Sequence, residues 1–358
     1  MSRLGEEWDN DDVRVRPGRG SRPRTKRRPA HSDAVDGFVT AVDRGRYTCL
    51  VGEPGGSGAD SRPVVAMRAR ELHRDAIVVG DRVALVGDTS GAAHTLARIV
   101  RIAQRSSVLR RSADDTDTAE RVLVANADAL LIVTAAADPE PRTGFIDRCL
   151  VAAYTGHLQP MLLVTKSDLR DPAALLASYQ DLDLPVLISG HGAVADPAAG
   201  GAPNDAPLDD TAVAQVRAAL AGRMTALIGH SGVGKSTLVN ALVPHADRAT
   251  GTVTDVGKGR HTSSSAIALP LPGGGWIVDT PGVRSFGLAH VTVDDVLESF
   301  DDLLPASANC PPGCTHDSPD IGCALDDLVA HGEARSGRLA SFRRLLASRT
   351  QGFEQPNG

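Results

Sequence analysis

The chain has 358 residues, of which 42% are hydrophobic and 23% charged, with a formal net charge of −6. These values are ordinary for a globular protein, and the length allows two or three domains. No apolar stretch reaches the about 18–20 residues of a membrane span, because the longest, 122–137, is broken by Asn126, Asp128 and Thr134. The N-terminus, MSRLGEEWDNDD, lacks the apolar core of a secretory signal. A cytoplasmic monomer is therefore the expectation.

The charge is unevenly placed. Residues 1–30 hold nine Lys/Arg against five Asp/Glu, a net of +4, which leaves −10 for the remainder. RVRPGRGSRPRTKRR (14–28) interleaves its basic residues with Pro and Gly, cannot bury an apolar face, and reads as a disordered basic tail over 1–32. Phosphate neutralisation by such a tail is a means of touching nucleic acid.

Residues 37–51 alternate apolar and polar as a half-buried strand does, and VVAMRAR (64–70), GDRVALVGD (80–88) and LARIVRIA (96–103) follow as short strands with Gly at the corners. A small β-barrel over 33–112 fits, with the OB type as the natural candidate; an SH3-like barrel would give nearly the same pattern. Its end is basic, with Arg101, Arg105, Arg110 and Arg111. RSADDTDTAE (111–120) reads as a linker.

From there the pattern becomes strand–helix alternation, the mark of a parallel α/β sheet. Strands are expected near 129–134, through PMLLVTKSDL, at 185–190, at 224–229, at 263–269 and at 275–279. Helices are expected at 145–156, 213–223 and 235–243. Residues 190–212, rich in Gly, Ala, Pro and Asp, read as a surface loop. Beyond 291 the pattern is helical, ending in a basic amphipathic helix at 338–349. The fold class is thus multidomain α/β: barrel, α/β domain over 113–290, helical domain over 291–350 and a short disordered tail, 351–358.

GHSGVGKS (229–236) matches the phosphate-loop pattern between a buried strand and a helix. Gly232 and Gly234 let the backbone N–H groups face phosphate, Lys235 supplies a charge to the β- and γ-phosphates, and Ser236 offers a hydroxyl to Mg²⁺. Gly229, His230, Ser231, Val233 and Thr237 complete the candidate contacts. WIVDTPG (276–282) ends a strand in an acid, Asp279, placed to hold Mg²⁺, and the Gly282 N–H is a candidate γ-phosphate sensor. In GKGRHTSSS (257–265), Thr262, with Ser263 in reserve, could complete the Mg²⁺ shell as a switch.

TKSD (165–168) has the form of a guanine-reading element. Asp168 would accept two N–H bonds from guanine, which adenine cannot offer, Lys166 would cover the base, and Thr165 opens the element. Ser189-Gly190 sits one strand later, where a backbone contact to the guanine carbonyl is expected. Along the chain the order is base, base, phosphate, switch, metal, whereas the ordinary order starts at the phosphate. Because each element sits at a strand end, a sheet cut in one loop and rejoined at its old ends would keep them all in place: a circular permutation.

These residues resemble circularly permuted GTPases of the ribosome small-subunit-dependent GTPase A family. The resemblance covers roughly 35–345 through GDRV (80–83), ANAD (125–128), IDR (146–148), TKSD, GHSGVGKST, GRHTSSS, DTPG and a C-terminal cysteine cluster. It implies an OB-fold domain, a permuted GTPase domain and a zinc-binding domain. It further implies action late in 30S subunit maturation, with GTP hydrolysis to GDP stimulated by the subunit and 16S rRNA as a partner. Val283 follows DTPG where many GTPases carry a water-orienting glutamine. His261, beside the expected switch, or a group supplied in trans must then position the water.

Of five cysteines, Cys49 and Cys149 lie in apolar surroundings and read as core. Cys310, Cys314, His316 and Cys323 form a Cys₃His set suited to one structural Zn²⁺. The rival readings are a P-loop ATPase or small-molecule kinase, a module whose nucleotide is only structural, and an RNA-associated switch with a different activating partner.

Overall fold

A computed structural model describes residues 31–52, 61–72, 76–112, 120–190, 208–243, 266–280, 287–319 and 322–349. Most of the expected basic tail, most of the 190–212 loop, residues 113–119 of the expected linker and the 351–358 tail lie outside the described residues. So do His261, Thr262, Ser263, Gly282 and Val283.

Residues 35–51 form two strands, where the alternation predicted one. β1 (Val35–Asp43) and β2 (Arg46–Val51) are joined by Arg44-Gly45. Both turn residues have positive φ (42° and 79°), the backbone of a tight two-residue hairpin. With β3 (Arg62–Arg68), β4 (Arg82–Gly87) and β5 (Ala97–Ile102) they close a five-stranded barrel in the order β1-β2-β3-β5-β4-β1. β3 and β5 are parallel and the other pairs antiparallel, which is the OB arrangement. Val39, Cys49, Val64, Leu85 and Ile99 fill its interior.

β6 (Val108–Ser112) and β7 (Glu120–Ala125) form a separate antiparallel pair. β7 went unpredicted because its apolar run merges with the next strand. Two stretches of the resemblance, GDRV and ANAD, meet here. Asn126 donates through Nδ2 to the Gly80 carbonyl (2.8 Å) and accepts from the Ser106 N–H (2.9 Å). Buried Asp81 accepts two bonds from Arg105 (2.7 and 2.9 Å) and one from the Val78 N–H (2.8 Å). A Cβ on Gly80 would collide with the Ala125 carbonyl. Arg105, read from sequence as part of a basic surface, instead neutralises a buried acid at this joint.

The α/β domain runs β8 (Ala129–Ala135), α1 (Thr143–Thr155), β9 (Gln159–Thr165), α2 (Ala173–Ala177), β10 (Val186–Ile188), α3 (Asp210–Leu220), β11 (Met224–Gly229), α4 (Lys235–Leu242), β12 (Ile267–Pro270) and β13 (Trp276–Asp279). Its order is β10-β9-β8-β11-β13-β12, with only β12 antiparallel. Every residue of β8 and β11 is buried, as strands covered on both faces must be. The chain leaves β8 in one direction and the neighbouring β11 in the other, so a crevice opens between their C-terminal ends. β12 also meets β1 at Ala41–Ile267, making one sheet with the barrel.

The C-terminal part holds α5 (Val293–Leu297), α6 (Leu304–Ser307), α7 (Ala324–Ala330) and α8 (Ser336–Ser348). α8 buries Leu339, Phe342, Leu345 and Leu346 in the same core as Ile146 and Leu150 of α1. That explains why α1 is buried continuously from Phe145 to Ala153, including Asp147 and Arg148. The basic residues of α8, which read from sequence as the polar face of an amphipathic helix, are mostly engaged inside the protein. Arg343 forks onto Asp326 (2.8 and 2.7 Å), Arg338 reaches Asp302 (3.1 Å), Arg344 reaches Asp147 (3.2 Å), and Arg349 donates to the Val291 carbonyl (2.6 Å).

Candidate nucleotide site and metal centre

The phosphate loop follows β11 and leads into α4, whose N-cap is Gly234 at φ 93°. Gly232, at φ 83°, gives the second left-handed turn, and a Cβ on Gly229 would collide with the Val133 carbonyl of β8. Lys235 Nζ lies on the carbonyls of Gly229 (2.5 Å) and His230 (2.8 Å), arched over the loop. Burial depresses its pKa, and Asp279 at the end of the adjacent strand opposes that. Burial raises the Asp279 carboxyl, with Lys235 and the Thr280 N–H opposing. Each charge therefore lacks solvation and leans on the other. Ser236 stands exposed at the first turn of α4, with Thr237 behind it and Ser231 exposed in the loop. The His230 ring packs on Phe145 of α1 at 4.1 Å between centroids, and burial followed by Arg142 and Lys235 lowers its pKa.

The base-reading candidate is tied directly to this loop. Thr165 Oγ1 donates to the carbonyl of Val233 (2.8 Å), across 68 residues of sequence. Lys166 takes a left-handed conformation (φ 55°) and its Nζ donates to the Asp138 carbonyl. The Ser167 N–H donates to the Ser189 carbonyl (3.2 Å), and a Cβ on Gly190 would lie 3.2 Å from Asp168 Oδ1. TKSD and Ser189-Gly190, separate in sequence, are thus neighbours. Asp138 was missed by motif reasoning. Its only signal is the Pro-rich segment DPEPR directly after a buried strand, which marks a strand-end loop.

The cysteine cluster also assembles. Pro311 to Cys314 form a turn closed by the Cys314 N–H on the Pro311 carbonyl (3.1 Å), with Gly313 at φ 79°. Pro at the second and Gly at the third position are what a type II turn requires. His316 Nδ1 lies 3.5, 3.4 and 3.5 Å from the sulfurs of Cys310, Cys314 and Cys323, and Cys310 and Cys323 sulfurs are 3.9 Å apart. A tetrahedral zinc with ordinary bond lengths would set S···N at about 3.6 Å and S···S at about 3.8 Å. The set therefore fits one zinc ion, and the sulfurs are far outside the about 2.0 Å of a disulfide. Burial pushes the Cys323 thiol up to about 12. The Ala324 N–H donates to Cys310 Sγ (3.3 Å) and Arg343 Nε to the His316 carbonyl (3.0 Å), an outer shell that sequence spacing did not reveal.

A mostly parallel sheet with a phosphate-loop motif at its crevice, the TKSD segment bonded to that loop, and an acid on the adjacent strand define a P-loop GTPase. The chain order of those parts makes it a circularly permuted one. The sequence profile of the RsgA GTPase family matches residues 102–196 and 205–289. A Pseudomonas aeruginosa protein named small ribosomal subunit biogenesis GTPase RsgA is 36% identical over 281 residues, 76% of each chain. The protein of that name from Chlorobaculum parvum is 31% identical over 327 residues, 88% of this chain and 99% of its own. Among solved structures, YloQ, described as a circularly permuted GTPase, matches with a TM-score of 0.60 at 20% identity, covering 90% of this chain and 97% of that one. YjeQ from Thermotoga maritima gives 0.58 at 21% identity, covering 88% and 98%. The chain belongs to the RsgA GTPase family.

Proposed function

We propose that this protein hydrolyses GTP to GDP and phosphate in the cytoplasm during late maturation of the small ribosomal subunit, with the 30S particle and its 16S rRNA as partner and activator. The observation that supports the nucleotide reading is the Thr165–Val233 bond, which ties TKSD to the phosphate-loop motif. The names borne by the relatives support the ribosomal reading. The working parts are the barrel (33–112), the permuted domain (113–290) and the zinc-binding helical domain (291–350).

In this mechanism Asp168 accepts from the guanine edge, Lys166 covers the base, and the loop N–H groups with Lys235 hold the β- and γ-phosphates. Ser236, Asp279 and Thr262 would hold the Mg²⁺ that accompanies GTP, which would supply charge neutralisation to the phosphates. The Gly282 N–H senses the γ-phosphate. Val283 cannot orient water, so His261, or a group the subunit provides, does so, and turnover by the isolated protein is slow. Zinc on the three thiolates and His316 is structural, since four protein ligands leave no open position.

Arg46, Met67 and Arg98 are lateral neighbours on adjoining barrel strands and all are exposed. Such a row suits phosphate contact, and the barrel's few aromatic residues argue against base stacking. The test is GTP hydrolysis at fixed salt with 30S subunits, with 50S subunits and alone. Stimulation by 30S only is expected. Equal rates in all three would remove the ribosomal partner and leave the GTPase.

A further inference from the structure

The two base-reading elements, TKSD and Ser189-Gly190, are the ends of one connector, residues 169–185. It is a series of short turns around α2, closed by Ser178 N–H to Leu175, Tyr179 N–H to Leu176 and Leu182 N–H to Tyr179 carbonyl bonds of 2.9–3.1 Å. A connector of this kind, with one short helix, has little stiffness of its own. Its middle is gripped from outside the nucleotide-binding domain by α8.

Arg344 donates through Nη1 to the Ser178 carbonyl (2.7 Å) and lays its guanidinium over the Tyr179 ring, 4.9 Å from the centroid. The same side chain meets Asp147 of α1 at 3.2 Å, while the Tyr179 hydroxyl donates to the Thr143 carbonyl at the start of α1 (3.3 Å). Nearly two turns earlier, Arg338 points Nη1 at the Asp181 carbonyl (3.4 Å), and a Cβ on Gly337 would collide with the Asp181 carboxylate. On its other side α8 is fastened to the metal knuckle through Arg343, which bonds the His316 carbonyl and Asp326.

We infer that α8 is part of the guanine-selecting apparatus: Arg344 acts as a positioning residue that holds the connector, and through it Asp168 and Ser189-Gly190, in register with the base. The metal knuckle anchors α8 and so is thermodynamically linked to guanine affinity. This rests on reading Thr165–Asp168 as the base-reading element. None of these residues touches the phosphates, so the effect falls on base recognition and leaves the chemical step alone.

The test compares GDP with IDP, whose base lacks the 2-amino group that Asp168 would accept from. Equilibrium titration of the full chain is expected to show wild type preferring GDP by about tenfold or more, the worth of a hydrogen bond to a charged acceptor. In Arg344→Ala that preference falls by about fivefold or more, while KM for GTP rises and kcat is unchanged. Arg344→Lys retains the charge facing Asp147 but loses the fork, and serves as the variant that folds if alanine does not; it too is expected to lose selectivity. Removing zinc with a chelator is expected to lower the GDP-to-IDP ratio of the wild type. A wild-type ratio retained in both folded variants would overturn the inference while leaving the base reader intact. No preference for GDP over IDP in the wild type would sink the base reader itself, and the inference with it.

Discussion

At the candidate base end of the crevice the loops are joined by hydrogen bonds: the Thr165 and Lys166 side chains donate to the Val233 and Asp138 carbonyls, and the Ser167 N–H donates to the Ser189 carbonyl. At the phosphate end two opposite charges, Lys235 and Asp279, are both buried enough that each is pushed toward its neutral form. The hydrogen-bonded end has the fixed backbone that selection by shape and donor pattern requires, with the buried Ser189 Oγ left without a hydrogen-bond partner among the described residues. The phosphate end carries an electrostatic debt that a polyphosphate and Mg²⁺ would relieve, which directs binding energy to where the chemistry takes place.

The largest effect should come from removing the cation of the phosphate end. Lys235→Ala is expected to lower GTP hydrolysis by about 10²- to 10³-fold, measured at saturating GTP, and to leave the Asp279 carboxyl without the cation that opposes its desolvation. Full activity in a folded Lys235→Ala protein would show that the loop does not carry the phosphates. Next, Cys314→Ala is expected to lose bound zinc, with a loss of stability in the helical domain on the order of several kcal/mol. Zinc content and hydrogen exchange over α7 and α8 read this directly. Stoichiometric zinc in that variant would contradict the four-ligand assignment.

The smallest effect is a pH dependence that only the phosphate end should show. The Asp279 pKa is raised in the fold. Its neutral form is thus favoured there, and the stability it contributes is present below the ordinary carboxylate pKa and lost as pH rises through the raised value. Mg²⁺ needs the ionised form, so the Mg²⁺-dependent part of GTP affinity is present above the raised value and lost as pH falls through it. Asp279→Asn should flatten that dependence, whereas selectivity for guanine at the base end should not change over the same range.

The sequence made the α/β domain legible because its strands are buried on both faces. ALLIVTA and MTALIG are continuous apolar runs, and the phosphate-loop motif begins where MTALIG stops. The order of motifs was enough to infer the permutation. The barrel was legible as a class but not in its parts: Arg44-Gly45 interrupts the alternation of 37–51 without breaking its period, so a hairpin looks like one strand. The charges of α8 were misread for a different reason. An arginine that meets an acid 197 residues earlier, as Arg344 meets Asp147, has the same local pattern as one facing water. Likewise Arg105 gave no sign that Asp81 awaited it. The knuckle assembled as expected, because Pro311-Pro312-Gly313 carries its turn in its own chemistry.

The most direct measurement is equilibrium binding of GDP, ADP and XDP to the wild type and to Asp168→Asn. If Thr165–Asp168 reads guanine on a permuted sheet, the wild type binds GDP and excludes ADP and XDP. The variant, whose amide offers a donor where the carboxylate only accepts, loses about 10- to 100-fold of its GDP affinity and gains XDP. A wild type that binds ADP as well as GDP, or a variant whose preference does not move, would contradict the account.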